Sequence, residues 1–198
     1  MREGVPQERI HFVGNIMIDS LIRLLPAAKS CAKNGLPEHF ALVTLHRPSN
    51  VDDAEKLREI LECLTRVSEK LDIIFSVHPR TRRRIADFGM NTDRLRLLDP
   101  MPYIEFLSLQ SRAAVVITDS GGIQEESTYL EVPCLTMRTN TERPITVTAG
   151  TNVLIGDDRD RLIVEVRNIL EGKGKKGVLP PLWDGHTGER IADILHRM

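Results

Sequence analysis

Short apolar runs alternate with helical stretches along most of the chain. The clearest run, residues 40–45 (Phe-Ala-Leu-Val-Thr-Leu), lacks polar alternation, which is typical of a strand buried on both faces of a sheet. It is followed by residues 52–71, where apolar side chains recur at helical spacing. Strands and helices that alternate in this way pair in parallel, through right-handed crossovers. The sequence therefore predicts an α/β fold, a doubly wound parallel sheet of the Rossmann-like type.

The remaining elements are assigned by the same periodicities. Further strands are predicted at residues 10–14, 73–77, 94–98, 113–118, 133–137 and 152–155. Further helices are predicted at residues 16–25, 103–111, 160–170 and 188–198. We expect Pro26 to end the first helix, because proline breaks the hydrogen bonding of a helix interior. Residues 138–150 form a polar loop that is too long for a simple connector.

The domain boundary is predicted near residue 36. Residues 26–38 contain Pro26, Gly35 and Pro37 among small and polar residues, which indicates a linker. Residues 1–36 are therefore expected to be the end of a preceding domain or a linker. Residues 37–198 are expected to be the main domain, closed by a C-terminal helix.

The overall composition narrows the classes of function. The chain of 198 residues carries 27 basic and 28 acidic side chains, so bulk charge favours neither nucleic acid nor an anionic membrane as a partner. The three cysteines, Cys31, Cys63 and Cys134, are widely spaced and indicate reduced thiols, with no disulfide or zinc framework. No apolar run has membrane-spanning length, and the first residues lack a secretory signal. We expect a cytoplasmic protein that binds a small ligand.

Ser120, Gly121 and Gly122 lie at a predicted turn from a strand to a helix. Glycines allow the backbone to come close to a ligand, and the free N–H groups of a helix start attract anions. Glu125 or Glu126 can turn back into such a site and accept hydrogen bonds from hydroxyl groups, such as those of a ribose. For the three small residues alone, a plain glycine-rich helix start is an equally good explanation.

Other polar residues are expected at the same rim of the sheet. Parallel α/β sheets bind ligands at the carboxyl ends of their strands. His46 and His78 follow two predicted strands, and Arg143 lies in the long polar loop. Histidine has an ordinary pKa near neutrality, so His46 can serve as a proton carrier or phosphate partner. The planar guanidinium group of Arg143 can donate two parallel hydrogen bonds, which suits a diphosphate. Taken singly, each could be a packed histidine or a surface arginine, and the arginines of residues 80–84 favour a solvated helix start.

Seven segments together resemble the UDP-N-acetylglucosamine 2-epimerase family. They are Val13–Asn15, Thr44–Arg47, His78–Pro79, Asp119–Glu126, Thr141–Pro144, Gly150–Gly156 and Trp183–Gly185. The resemblance implies one half of a GT-B architecture, in which two Rossmann-like halves hold a UDP-sugar in the cleft between them. This chain resembles the carboxyl-terminal, UDP-binding half. The family reaction inverts C2 of UDP-N-acetylglucosamine by elimination of UDP to a glycal and re-addition.

The resemblance also implies roles for single residues. Ser120, Gly121 and Gly122 correspond to the diphosphate site, Arg143 to its other side, and Glu126 to the ribose hydroxyls. Met101 and Phe106 correspond to the uracil pocket, His78 to the substrate site, and His46 to a cleft histidine that serves both binding and catalysis. No metal or cofactor is implied.

The implied partners are a UDP-sugar and an amino-terminal domain of the same protein, with a homodimer left open. Pro48, Ser49, Met101 and Ile145 depart from residues that are usual in the family, which affects fine substrate contacts and any effector site more than the nucleotide site. A hydrolysing epimerase, a GT-B glycosyltransferase and a non-catalytic UDP-binding module are the alternatives.

Overall fold

The computed structural model describes residues 4–31 and 35–197. Within them, six strands form one sheet in the order β3-β2-β1-β4-β5-β6, and every neighbouring pair is parallel. The strands are β1 (Phe40–Thr44), β2 (Asp72–Ser76), β3 (Arg96–Leu98), β4 (Val115–Thr118), β5 (Cys134–Thr136) and β6 (Asn152–Leu154). The predicted doubly wound parallel α/β fold is confirmed.

Helices connect the strands and cover both faces of the sheet. They are α1 (Ile16–Ser30), α2 (Pro48–Val51), α3 (Ala54–Val67), α4 (Pro79–Asp87), α5 (Tyr103–Gln110), α6 (Gly121–Tyr129), α7 (Pro144–Thr148), α8 (Arg159–Leu170) and α9 (Thr187–Arg197), with one 3₁₀ turn at Gln7–Arg9. In the described part of the chain, no helix is long and apolar enough to cross a membrane.

The core lies on both sides of the central strands. Alternate residues of β1 point to opposite faces, so Ala41 and Val43 belong to one apolar cluster and Phe40 and Leu42 to another. The first cluster includes the apolar stripe of α3, and the second includes residues of α5. The chain reverses its winding direction between β1 and β4, and a crevice therefore opens at the carboxyl ends of these two strands.

Two predictions about the chain path are wrong. Residues 10–14 form no strand: the backbone of Ile10 is extended, but the residues pair with no strand in the described part of the chain. Pro26 lies inside α1, which continues to Ser30, because Leu21 and Ala28 pack on Leu107 from positions on either side of the proline. Residues 138–150, which were expected to be more than a simple connector, contain the short helix α7.

The predicted division at residue 36 stays a prediction. α1 packs against α5 and α6, so this part of the preceding segment lies on the main domain. The linker was expected at residues 26–38, of which residues 26–30 are helical and residues 32–34 lie outside the described residues. Residue 198, the expected end of the last helix, also lies outside them.

Candidate functional site

The amino end of α6 lies at the central crevice. Gly121 is its first helical residue, directly after β4, and within the described chain the Ser120 side chain forms no capping hydrogen bond. The Ser120 amide instead donates to Thr118 Oγ1 over 3.0 Å. A Cβ atom placed on Gly121 would meet only the Arg143 side chain, 3.9 Å away. The start of α6 is therefore open to a ligand and faces a guanidinium group.

Hydrogen bonds to α6 fix the position of Arg143. The Arg143 amide donates to Thr141 Oγ1 over 2.9 Å, and Thr141 in turn donates to Gln124 Oε1 over 2.6 Å. The Arg143 side chain pairs with Glu125, with Nε 3.1 Å from Oε2. Asn15 donates to the other oxygen of Glu125 over 2.9 Å. This network places a cation beside the helix start, where both favour an anion.

A cavity of about 370 Å³ lies beside the α6 start. This volume is within the range of small-ligand sites. It is lined by Met17, Thr44, Ser76, Val77, His78, Pro100, Met101, Tyr103, Phe106, Ser120, Gly122, Ile123 and Glu126. Six of the site residues predicted from the sequence are in its wall, whereas His46, Gly121 and Arg143 are not.

Glu126 is the buried acid of this cavity. Only 6 % of the residue is exposed, and Tyr103 Oη donates to Glu126 Oε1 over 2.9 Å. Burial raises the pKa of Glu126 to about 7, although the hydrogen bond from Tyr103 opposes the rise and the nearby Glu125 carboxylate adds to it. Near neutral pH the group therefore exchanges between an acid and a carboxylate. In the carboxylate form it can accept hydrogen bonds from two ligand hydroxyls.

His46 pairs with a fully buried carboxylate. It follows β1, and its Nδ1 lies 3.1 Å from Oδ1 of Asp119, which is 0 % exposed. The hydrogen bond to Asp119 raises the pKa of His46, while burial and the charge of Arg47 oppose the rise. Burial alone would raise the pKa of Asp119, but hydrogen bonds from His46, the Arg47 amide and Asn50 outweigh it and lower that pKa.

His78 has a structural contact as well as a place in the cavity wall. Its Nδ1 accepts a hydrogen bond from the Arg80 amide over 3.2 Å, which caps α4. Its ring centroid lies 5.7 Å from that of His46. The arginines of residues 80–84 are in α4, and Arg80 and Arg84 both pair with Asp52. Arg80, Arg82 and Arg83 are exposed at the start of α4, which agrees with the prediction of a solvated helix start.

Sequence reasoning gave no role to Asp119, and it offered Glu125 only as the alternative to Glu126 as an acceptor of hydrogen bonds from ligand hydroxyls. A charged residue directly after a buried strand was the available signal for Asp119. Met17 reaches the cavity from α1. The periodicity that predicted this helix did not indicate that it contributes to the site. Among the described residues, no group of three or more histidine, cysteine, aspartate or glutamate side chains could hold a metal ion.

The fold and the site define a Rossmann-like domain in which the open start of α6 faces the Arg143 guanidinium and adjoins a cavity. The family model described as UDP-N-acetylglucosamine 2-epimerase matches residues 1–196. The chain belongs to this family.

Individual relatives agree with this assignment. The UDP-N-acetylglucosamine 2-epimerase of Methanocaldococcus jannaschii is 39 % identical over 98 % of this chain and 57 % of its own length. The enzyme of that name from Escherichia coli K12 is 32 % identical with the same coverage of both chains. The chain therefore spans little more than half the length of these curated relatives.

Solved structures are similar over the whole chain. One is the crystal structure of the Methanocaldococcus jannaschii UDP-GlcNAc 2-epimerase in complex with UDP-GlcNAc and UDP, with a TM-score of 0.88, 37 % identity, and coverage of 100 % of this chain and 57 % of that one. Another is the Neisseria meningitidis enzyme bound to UDP-GlcNAc, with a TM-score of 0.84, 25 % identity, and coverage of 100 % and 58 %.

Proposed function

We propose that this chain is the UDP-binding part of a UDP-N-acetylglucosamine 2-epimerase, which interconverts UDP-N-acetylglucosamine and UDP-N-acetylmannosamine. The observation that carries the proposal is the open start of α6, which faces Arg143 and adjoins a cavity that contains Glu126. An anion site next to a hydroxyl acceptor in an apolar cavity suits a nucleoside diphosphate. The similar solved enzymes were crystallised with UDP or UDP-GlcNAc.

Each part of UDP has a matching group in the site. Backbone N–H groups of Ser120, Gly121 and Gly122, with the Arg143 guanidinium, would receive the diphosphate. The Glu126 carboxylate would accept hydrogen bonds from the ribose hydroxyls. Met101 and Phe106 give the cavity an apolar side for the uracil ring. His78, in the same wall, would contact the ligand from the α4 side.

The same groups support departure of UDP from the sugar. Negative charge develops on the diphosphate as the C1–O bond breaks, and fixed N–H groups and cations stabilise that charge without reorganisation. His46 adds a cation when protonated and would be the catalytic residue contributed by this chain. Inversion at C2 also needs an acid and a base on opposite faces of the sugar. In this proposal, carboxylates from a preceding domain of the same protein supply the missing groups, and residues 37–198 form the nucleotide domain.

A cytoplasmic location is part of the proposal. Cys31, Cys63 and Cys134 are free thiols, which suits a reducing compartment. A homodimer is compatible with it and has no specific support.

Deuterium exchange at C2 of UDP-N-acetylglucosamine in heavy water, followed by NMR, tests whether proton transfer at C2 needs groups from a preceding domain. This chain alone should bind UDP and give no exchange, because it lacks one of the two proton-transfer groups. The same chain joined to the amino-terminal half of an active relative should exchange deuterium and form the manno epimer. Exchange by this chain alone, at a rate close to that of a complete enzyme, would contradict the proposed half-site.

A further inference from the structure

Four hydrogen-bond donors surround the Asp119 carboxylate. Its Oδ2 accepts hydrogen bonds from the amides of His46 at 3.1 Å and Arg47 at 2.9 Å, and from Asn50 Nδ2 at 3.0 Å. Its Oδ1 faces Nδ1 of the His46 ring at 3.1 Å. The His46 amide also donates to Oδ1 over 3.2 Å, so fixed donors hold both oxygens while Oδ1 in addition faces the imidazole nitrogen.

The pairing of two central strands brings this couple together. β1 and β4 are parallel neighbours, with Thr44 opposite Thr118, so His46 and Asp119 leave the sheet side by side. The side chain of Asp119 is fully buried, whereas that of His46 is 39 % exposed. The ring is thus held from the buried side, and its Nε2 is the nitrogen left for a ligand.

The other groups around the ring do not replace this carboxylate. Arg47 carries a positive charge, which disfavours a protonated His46. His78 lies against the ring with its centroid 5.7 Å away, and its Nδ1 is engaged by the Arg80 amide. Asp119 is therefore the group that stabilises an imidazolium at this position.

We propose that Asp119 is a positioning residue: its carboxylate holds His46 by Nδ1–H, so that the ring presents a protonated Nε2 to an anionic ligand at the crevice. The identity of that ligand as a UDP-sugar rests on the proposed function, but the geometry of the couple does not. Asp119 itself contacts no ligand and acts through His46. The orientation of a histidine ring by a carboxylate on its other nitrogen fixes both tautomer and charge.

The tautomer of His46 in the wild-type chain tests the geometry directly. Long-range ¹H–¹⁵N NMR across a pH series, with the His46 signals assigned from a His46→Gln variant, reports which nitrogen keeps the proton. We expect the neutral ring to be the Nδ1–H form, with a pKa above the ordinary histidine value of about 6.5. A neutral Nε2–H ring would overturn the proposal, and this reading does not depend on any Asp119 variant folding.

Asp119→Asn tests whether the carboxylate causes this state. In a folded variant the pKa of His46 should fall below that in the wild type, because burial and Arg47 then act without an opposing charge. Glu189→Gln is the matched control, since Glu189 pairs with His186 Nδ1 at 3.0 Å on the exposed surface. It should leave His46 unchanged. An unchanged His46 pKa in Asp119→Asn would overturn the proposal.

Binding of UDP-N-acetylglucosamine shows whether the protonated His46 ring contributes to ligand affinity. Both phosphates of this ligand are esterified, so the charge of its diphosphate stays constant from pH 6 to pH 9. Glu126 titrates in the same range, and the quantity to compare is therefore the affinity ratio of wild type to His46→Gln. The ratio should be about tenfold at pH 6, as for one charge-assisted hydrogen bond, and should approach one at pH 9.

The Asp119→Asn background gives the decisive comparison. In that background, the affinity ratio of the Asp119→Asn variant to the Asp119→Asn, His46→Gln double variant should fall to one at a lower pH than the corresponding ratio in the wild-type background. If the two ratios depend on pH in the same way, the role of Asp119 is overturned. If the ligand binds none of these proteins, the proposed function fails, while the NMR titration still decides whether Asp119 holds His46.

Discussion

Glu126→Gln should stabilise the ligand-free protein at neutral and alkaline pH. Burial raises the pKa of Glu126 to about 7, from an ordinary value of 4.5. Between these two values the folded protein keeps a proton that the unfolded chain has lost, so the free energy of unfolding falls as the pH rises. The difference between the two pKa values corresponds to about 3 kcal/mol, all of it lost above pH 7.

Glutamine has nearly the same shape as glutamate and does not ionise, so it removes the cost of burying a charged carboxylate at position 126. Its amide oxygen can still accept the hydrogen bond that Tyr103 donates to Glu126. The variant should therefore gain up to about 3 kcal/mol over the wild type at pH 8 and nothing near pH 4. Ligand affinity should change in the opposite direction and weaken by about 1–2 kcal/mol at pH 8, because a neutral acceptor replaces a charged one.

Urea unfolding at a series of pH values measures the effect. The single tryptophan, Trp183, is buried and provides the fluorescence signal. Glu59→Gln, on the exposed side of α3, removes the same formal charge and should leave the pH dependence as in the wild type. A Glu126→Gln variant that is no more stable than the wild type at pH 8 would refute the reasoning about burial.

Three further substitutions test the site and its support. Arg143→Lys should weaken UDP binding about tenfold in calorimetry, because the charge is kept and the planar fork is lost. Gly121→Ala should keep the thermal stability, since a Cβ has room beside Arg143 Cγ at 3.9 Å, but should lose at least about tenfold in UDP affinity as the methyl group enters the anion site. Gly150→Ala should lower the free energy of unfolding by about 2 kcal/mol, because its Cβ would lie 2.7 Å from the Thr146 carbonyl oxygen. Unchanged UDP affinity in the first two variants, or unchanged stability in the third, would contradict these assignments.

The sheet could be predicted because its signals are local. The unbroken apolar run at Phe40–Thr44 and the stripe of α3 each depend on a few neighbouring residues, and both were found within a few residues of their true ends. The predicted strand at residues 10–14 failed because a strand needs a partner. Phe12, in the middle of that run, is 70 % exposed, so apolar composition alone did not identify a buried segment.

The rim of the site could be predicted, but its internal contacts could not. The rule that ligands bind at the carboxyl ends of parallel strands placed His46, Ser120 and Arg143 in one region. The contact of His46 with Asp119 depends on the register between β1 and β4, which no stretch of sequence specifies. The bond from Tyr103 to Glu126 likewise depends on how α5 packs beside α6.

Calorimetric titration of UDP and of uridine into the 198-residue chain tests the central claim most directly. The start of α6 and Arg143 act on phosphate and not on the base, so UDP should bind at least about tenfold more tightly than uridine. Equal affinities for UDP and uridine in the wild-type chain would contradict the assignment of the α6 start as a diphosphate site.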